Sequence, residues 1–97
     1  MVEQGDIITV RSISFPVLVV SKNAYNNSGK ALVCPIMPMK PDLPFSYHIE
    51  TDMVKGYVWY DNIRRINISE RGALGKGRVS FAKMMAILGM IQSFFDY

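Results

Sequence analysis

The chain has 97 residues, which is the length of one domain that hides a modest share of its surface. Nearly half of the residues are hydrophobic (49%), but the richest segment, residues 81–95, is interrupted by charged and polar side chains and is too short to span a membrane. The net charge of +3 is compatible with a polyanionic partner such as nucleic acid, but it does not identify the partner. The composition predicts a single domain over residues 1–97, with apolar material for a core and for an interface.

The N-terminus indicates the compartment, and the single cysteine limits the covalent chemistry. Glu3 and Asp6 interrupt the region where a secretory signal would need basic and then apolar residues, so we expect a cytoplasmic protein without membrane association. Cys34 is the only cysteine, so an intramolecular disulfide is excluded. Its position within ALVCPI favours a small core residue over a nucleophile.

Apolar runs separated by turn-forming residues predict strands in the first half of the chain. Residues 7–13 (IITVRSI) and 15–21 (FPVLVVS) are the first two predicted strands, and 31–36 (ALVCPI) is the third. Asparagine and glycine in residues 23–30 predict a loop between them, so residues 15–36 read as a hairpin. Three prolines exclude regular pairing in residues 38–44.

The second half continues the pattern. Residues 45–50 (FSYHIE) alternate from side to side and predict a fourth strand. Residues 56–61 and 63–68 predict a fifth and a sixth strand, or one bent ribbon. Residues 69–77 (SERGALGKG) contain three glycines and predict a turn or a short irregular helix.

The last segment predicts a C-terminal helix of about four turns that begins after Ser80 as the N-cap. Its apolar residues recur at the spacing of three and four that marks one helical face. Strands followed by one helix favour a small, strongly bent antiparallel sheet or partly closed barrel capped by that helix. The apolar positions are Phe81, Met84, Met85, Leu88, Ile91, Phe94 and Phe95.

A search for catalytic groups excludes several classes. One histidine and one cysteine, without ligand spacing, predict neither a metal site nor a cofactor. No Walker-type phosphate loop or nucleophile elbow is present. His48 is either a partly exposed strand residue or a catalytic base, and Asp61 is either a turn former or a carboxylate positioned by the neighbouring arginines.

Arginines and aromatic residues together are the strongest indication of a polyanionic ligand. Guanidinium groups bind phosphate and aromatic rings stack on bases, which suits single-stranded RNA. An ordinary solvated surface explains the same residues equally well. The set consists of Arg11, Arg64, Arg65, Arg71, Arg78, Tyr47, Tyr57 and Tyr60.

Six motifs in order give the sequence a resemblance to the PemK/MazF family of toxin endoribonucleases from bacterial toxin–antitoxin pairs. They correspond to the family's opening strand, its second strand and Asn turn, its Val-Pro segment, an aliphatic-Pro-Phe turn, its Asp-containing strand region and its Arg-Gly segment. The motifs are QGDIITV (4–10), PVLVVSKNAYNN (16–27), VCPI (33–36), LPF (43–45), GYVWYDNIRRIN (56–67) and ERGALGKG (70–77).

The resemblance implies an SH3-like bent β-barrel, a homodimer, a cognate antitoxin as partner, and growth inhibition by metal-independent cleavage of single-stranded RNA as an mRNA interferase. In this family the 2′-OH attacks the adjacent phosphate, with an Arg before the second strand and a Ser or Thr after the third-strand Pro. Here Phe15 stands at the Arg position, and Met37 and Pro38 stand at the hydroxyl position. The family's long loop between its first two strands is reduced to RSISF (11–15).

These replacements shape the predicted site. Phe and Met cannot donate a hydrogen bond to phosphate or transfer a proton, so the predicted catalytic residues are Arg11 as the cation, Ser14 (or Ser12) as the hydroxyl, and Asp61, which matches the family's motif Asp. The predicted RNA-binding residues are Arg64, Arg65, Arg71, His48 and Tyr60.

Two alternatives stay open. The chain is either such a ribonuclease with a rearranged site or a catalytically inactive relative that binds nucleic acid or a partner protein. Five large apolar residues of the last helix exceed what one narrow face can bury, which predicts a homodimer in either case. They are Met84, Met85, Met90, Phe94 and Phe95.

Overall fold

A computed structural model describes residues 1–95 of the chain. These residues form one seven-stranded sheet and three helices. The elements are β1 (Asp6–Val10), β2 (Val17–Val19), α1 (Asn23–Asn26), β3 (Lys30–Met37), β4 (Ser46–Glu50), β5 (Lys55–Trp59), β6 (Arg64–Asn67), α2 (Ile68–Arg71), β7 (Ala73–Arg78) and α3 (Phe81–Gln92).

The sheet is antiparallel throughout, with strand order β4-β5-β3-β2-β1-β7. The long strand β3 is shared by two parts of the sheet. Its first half pairs with β6, its last residues pair with β5, and its other edge pairs with β2. A strand that serves two partners along one edge curls the sheet, and the predicted bent antiparallel sheet with a C-terminal helix is confirmed.

Each face of the sheet has its own apolar cluster because side chains alternate along a strand. We call the side covered by α3 the helix face and the opposite side the outer face. Leu32, Cys34 and Ile36 of β3 belong to the helix-face cluster, together with Met84 and Ile87 of α3. The outer-face cluster contains Val2, Ile8, Val10, Val17, Val19, Ala31, Val33 and Ile66.

The C-terminal helix begins where the sequence predicts. The Ser80 side chain accepts a hydrogen bond from the Lys83 backbone N–H at 3.3 Å, which caps the first turn. The helix has 12 residues and is therefore about one turn shorter than expected. Met84 and Ile87 are buried, whereas Phe81 and Phe95 are almost fully exposed.

The predicted hairpin of residues 15–36 is present, and its polar connection contains the helical turn α1. Asn26 in this turn is buried and donates its side-chain N–H to the Ser21 carbonyl at 3.0 Å. The Ser21 hydroxyl in turn accepts the backbone N–H of Leu32 at 2.9 Å. These bonds join both ends of the connection, so the Asn and Ser residues stabilise the hairpin instead of forming an open loop.

The glycine-rich segment departs from its prediction. The short helix α2 is followed by the strand β7, which pairs with β1 through Val10↔Ala73 and Thr9↔Leu74, so the assignment of residues 69–77 to a turn or irregular helix is wrong over β7. Gly72, with φ of +73°, ends α2 and redirects the chain. Ladder hydrogen bonds need no side chains, so glycine is tolerated in a strand at the edge of the sheet.

The first strand is shorter than predicted. The strand β1 ends at Val10, and Ser12 adopts a left-handed conformation with φ of +73°. The Ile13 N–H donates to the Val10 carbonyl at 3.2 Å, which closes a tight turn. Arg11 and Ser12 therefore lie in the turn between β1 and β2.

Candidate functional site

A groove of about 90 Å³ lies on the outer face, across the strands β2, β3 and β6 and the end of β5. Most of its lining is apolar, and its polar members are Asn62 and Arg64. The lining residues are Ile13, Phe15, Val17, Val33, Pro35, Met37, Trp59, Asn62, Arg64 and Ile66. We call this the outer groove.

Phe15 and Met37 both line the outer groove and belong to opposed chain segments. Val17 pairs with Pro35 in the antiparallel register of β2 and β3, and the Ile36 N–H donates to the Pro16 carbonyl at 2.9 Å. Continuing that register places Phe15 directly opposite Met37. The two positions that the family resemblance associates with cation and hydroxyl are therefore adjacent, and both are apolar in this protein.

Arg64 and Arg65 lie on opposite faces of the sheet. Arg64 pairs with Val33, whose side chain lines the outer groove, and Arg65 pairs with Leu32, which packs on the helix-face cluster. Because successive side chains of a strand alternate, Arg64 enters the outer groove and Arg65 points away from it. The two arginines are thus not equivalent, although they are neighbours in sequence.

Arg11 and Arg71 come together in a different place. They line an open cleft between the end of β1 and the start of β7, which also includes Thr9 and Leu74. Neither arginine is among the residues that line the outer groove. Ser14 is exposed and lies between Ile13 and Phe15, both of which line that groove.

Asp61 borders the outer groove from its neighbouring cleft. This cleft shares Trp59 and Asn62 with the groove and also includes Pro41 and Leu43. The Trp59 indole N–H donates to the Met39 carbonyl at 3.0 Å, which fixes the ring between the two cavities. Asp61 thus lines the cleft that adjoins the outer groove at Trp59 and Asn62, and not the groove itself.

His48 and Tyr60 are separated by the sheet. His48 is exposed on β4 and its ring lies 5.1 Å from that of Tyr57. Tyr60 is only 7% exposed and packs against Phe45 and Phe94 on the helix face, with ring centroids 6.2 and 5.7 Å away. The structure thus presents His48 on the surface and encloses Tyr60 in an aromatic cluster.

Cys34 lies within the helix-face cluster and is fully buried. Burial, with a smaller contribution from the negative charge of Asp61, raises the pKa of its thiol to about 12. A thiol in this state is not a nucleophile at neutral pH, which agrees with the core role predicted for it.

The described residues contain neither a cluster of metal ligands nor a helix that could span a membrane. Within residues 1–95, no three His, Cys, Asp or Glu side chains are grouped as a metal site would need. Each helix in the same range is too short or too polar to cross a bilayer.

Trp59 and Asn62 link the outer groove to the Asp61 cleft, and neither belongs to the site predicted from the sequence. The alternation of Tyr57, Val58 and Trp59 along β5 would place Tyr57 and Trp59 on one face, but which face is set by pairing with β3.

The bent antiparallel sheet with its C-terminal helix is the fold that the family resemblance implies. A family model for the PemK-like, MazF-like toxin of type II toxin–antitoxin systems matches residues 3–95. The chain therefore belongs to this family.

Solved structures share the fold. MazF within a MazE–MazF complex from Deinococcus radiodurans superposes with a TM-score of 0.86 and 23% identity, over 97% of this chain and 95% of that one. An endoribonuclease from a mycobacterial species superposes with 0.81 and 24% identity, over 97% and 90% of the two chains. The Mycobacterium tuberculosis toxin MazF-mt6 gives 0.70 and 18% identity, over 96% and 99%. No protein with a curated description matches the sequence significantly.

Proposed function

We propose that this chain is the toxin of a toxin–antitoxin pair and that it acts in the cytoplasm as a metal-independent endoribonuclease on single-stranded RNA. The observation that carries the proposal is the outer groove itself. It brings the two positions that the family uses for catalysis, Phe15 and Met37, opposite each other, and it adds the guanidinium of Arg64 from β6.

Unpaired positive charge supports a polyanionic ligand. Arg78 forms ion pairs with Asp6 at 2.9 Å and with Glu3 at 3.6 Å. Within residues 1–95 these are the only ion pairs, so the guanidinium groups of Arg11, Arg64, Arg65 and Arg71 have no carboxylate partner there. Exposed arginines of this kind bind phosphates and release condensed counterions.

The cleavage reaction assigns roles to groups at the groove. The 2′-oxygen forms a bond to the adjacent phosphorus and the bond from phosphorus to the 5′-oxygen breaks, which leaves a cyclic phosphate and a 5′-hydroxyl. Asp61 accepts the proton of the 2′-OH and can return it to the departing 5′-oxygen. Arg64 stabilises the charge that develops on the phosphate, because it is the cation that lines the groove.

Arg11 was predicted for that role from the sequence and is the rival assignment. It lies with Arg71 in the cleft beside β7, so in our proposal both contact phosphates outside the reacting centre. Ser14, on the exposed side of the groove's rim, contacts the same strand of RNA.

The second candidate is a relative that binds RNA without cleaving it, and the composition of the groove favours it. Phe15 and Met37 carry no proton donor or acceptor, so two groups that the family resemblance associates with catalysis have no counterpart at their own positions. Binding without cleavage would still use Arg64 and the apolar lining.

The deciding experiment is incubation of the purified chain with mixed single-stranded RNA in EDTA. Cleavage that persists in EDTA and falls ~10²–10³-fold in Arg64→Ala supports the proposal. Arg65→Ala is the matched control, because it removes the same charge from the opposite face. Tight RNA binding without products would establish the second candidate, and full activity in Arg64→Ala with loss in Arg11→Ala would return the catalytic cation to Arg11.

The proposal includes two protein partners, an antitoxin and a second copy of this chain. Solved relatives include an endoribonuclease in complex with its cognate antitoxin. For the homodimer, the observation is the exposed apolar surface of the C-terminal segment, where Phe81 and Phe95 are 78% and 79% exposed and Met85 is 40% exposed. A monomeric mass by light scattering at micromolar concentration would rule the homodimer out.

A further inference from the structure

The outer face continues beyond the outer groove toward the edge strand β4. The register pairs Met37 of β3 with Tyr57 of β5, and Tyr57 with His48 of β4. Trp59 pairs with Ser46 in the same way. Directly paired residues in a sheet project to the same face, so the residues form a continuous row from the groove to the edge.

A second cleft lies at the end of this row. It encloses about 440 Å³, and Lys40, Ser46, His48 and Tyr57 lie along it, with Pro41 and Pro44 as walls. The Lys40 ammonium lies 6.0 Å from the centre of the Tyr57 ring, and the His48 ring lies 5.1 Å from it at a tilt of 55°. We call this the β4 cleft.

The chemistry of the β4 cleft suits one class of ligand. Two partly exposed aromatic rings offer a surface on which a planar base can stack, and an ammonium group beside them can pair with a phosphate. The Ser46 hydroxyl adds a hydrogen-bond donor and acceptor for the polar edge of a base. Asp42 also lies along the cleft, and its carboxylate can accept a hydrogen bond from an exocyclic amino group.

We propose that the β4 cleft is a nucleotide subsite, in which the base stacks on Tyr57 beside His48 and the phosphate contacts Lys40. This inference rests on the proposed action on single-stranded RNA and extends it, because it states that the bound RNA continues from the outer groove over Met37 and Tyr57. The row of outer-face residues provides the path. Phe15 lies on the groove side of Met37. Tyr57 and His48 follow Met37 toward the edge, so aromatic rings stand on both sides of it.

The consequence is a dependence on RNA length. An oligonucleotide that fills only the outer groove does not reach Tyr57, whereas a longer one gains the stacking contact. Stacking of one base on one aromatic ring is worth ~1–3 kcal/mol, which corresponds to a change in affinity of roughly 5-fold to 160-fold.

The test measures the affinity of an uncleavable single-stranded oligonucleotide series, with 2′-deoxy sugars, that grows by one nucleotide at a time. We expect wild-type affinity to rise at one length, and Tyr57→Ala to remove that rise while it leaves the affinity for shorter members unchanged. Tyr57→Leu keeps an apolar side chain at this partly buried site and should behave in the same way. The matched control is Tyr25→Ala, which removes another partly exposed tyrosine, on α1.

An abasic position separates stacking from indirect effects. With the base missing at the nucleotide that brings the rise, wild type and Tyr57→Leu should bind equally. An equal loss at every length, or no loss at any length, would overturn the β4 subsite and leave the proposed function standing. Failure of the wild-type protein to bind any member of the series, together with failure to bind a ribonucleotide strand of the same sequence, would overturn both.

Discussion

The two faces of the sheet are built from the same strands, but one is covered by a helix and the other carries an open groove. On the helix face, Leu18, Cys34 and Val58 are completely buried because α3 covers them. On the outer face, Val17 and Val33 are equally buried, yet the residues around them leave the outer groove open beside Trp59. The continuous apolar runs of β2 and β3 make both faces apolar, and the covering element decides which face is core and which is available to a ligand.

The first prediction compares the packing of the two faces. Ile87→Ala removes a fully buried side chain from the helix face and should lower the free energy of unfolding by ~2–5 kcal/mol. Met37→Ala, on a partly exposed groove residue, should lower it by less than half as much. Urea denaturation monitored by fluorescence of Trp59, the single tryptophan, measures both. Equal losses would show that the outer groove is packed as tightly as the helix-face core.

The second prediction restores the chemistry that the outer groove lacks. Phe15→Arg combined with Met37→Thr places a cation and a hydroxyl at two opposed positions, and should raise the rate of RNA cleavage by ~10²–10³-fold. Phe15→Leu with Met37→Leu is the control for altered packing. If the double variant binds RNA and its cleavage rate does not change, the site also lacks the groups that transfer protons.

The third prediction concerns titration of the helix face. The pKa of Cys34 is raised from 9.0 to about 12, so the unfolded chain loses this proton at a lower pH than the folded chain does. Stability from the buried thiol is therefore fully present below pH 9 and should decline between pH 9 and 12, by about 1.4 kcal/mol for each pH unit.

The measurement is denaturant unfolding of wild type and Cys34→Ala across this range. The Ala variant removes the titrating group, so its stability should fall less steeply than that of wild type, whatever its value at neutral pH. Parallel pH curves would show that the thiol is accessible to water in the folded protein.

The fourth and smallest effect separates the two neighbouring arginines. If the outer groove binds RNA, Arg64→Ala should reduce the slope of log affinity against log salt by ~0.7, the value for one phosphate contact on a single strand. Arg65→Ala should change the slope less, because its side chain points to the other face. Equal changes would mean that RNA also passes along the edge of β6, and unchanged slopes in both would point to a protein ligand.

Local patterns were sufficient for much of the fold. Ser80 as a cap, the helical spacing after it and the alternating runs predicted α3 and most strands, because each signal lies within a few residues. The strand β7 was missed for the converse reason. Its residues ALGKGR have almost no strand propensity, and its pairing with β1 depends on residues far away in the sequence.

The candidate site shows the same limit. The family resemblance identified Phe15 and Met37 as positions of interest, but their opposition across β2 and β3 follows from the register. Register also decides that Arg64, and not Arg65, enters the groove. Sequence proximity suggested Arg11 as a substitute cation, whereas the tight turn at Ser12 directs the chain so that Arg11 lies with Arg71. The face on which a side chain lies and the strand with which it pairs depend on residues far apart in the chain, so a single sequence does not predict them.

The position of β3 has a consequence for hydrogen exchange. Because β2, β5 and β6 all pair with this strand, its amides can open only when the greater part of the sheet separates, so they should exchange with the free energy of global unfolding. The edge strands β4 and β7 have one partner each and should exchange earlier. A ligand that lies on Val33, Pro35 and Met37 touches the slowest-exchanging strand, so its binding energy should protect the whole domain and not only the groove.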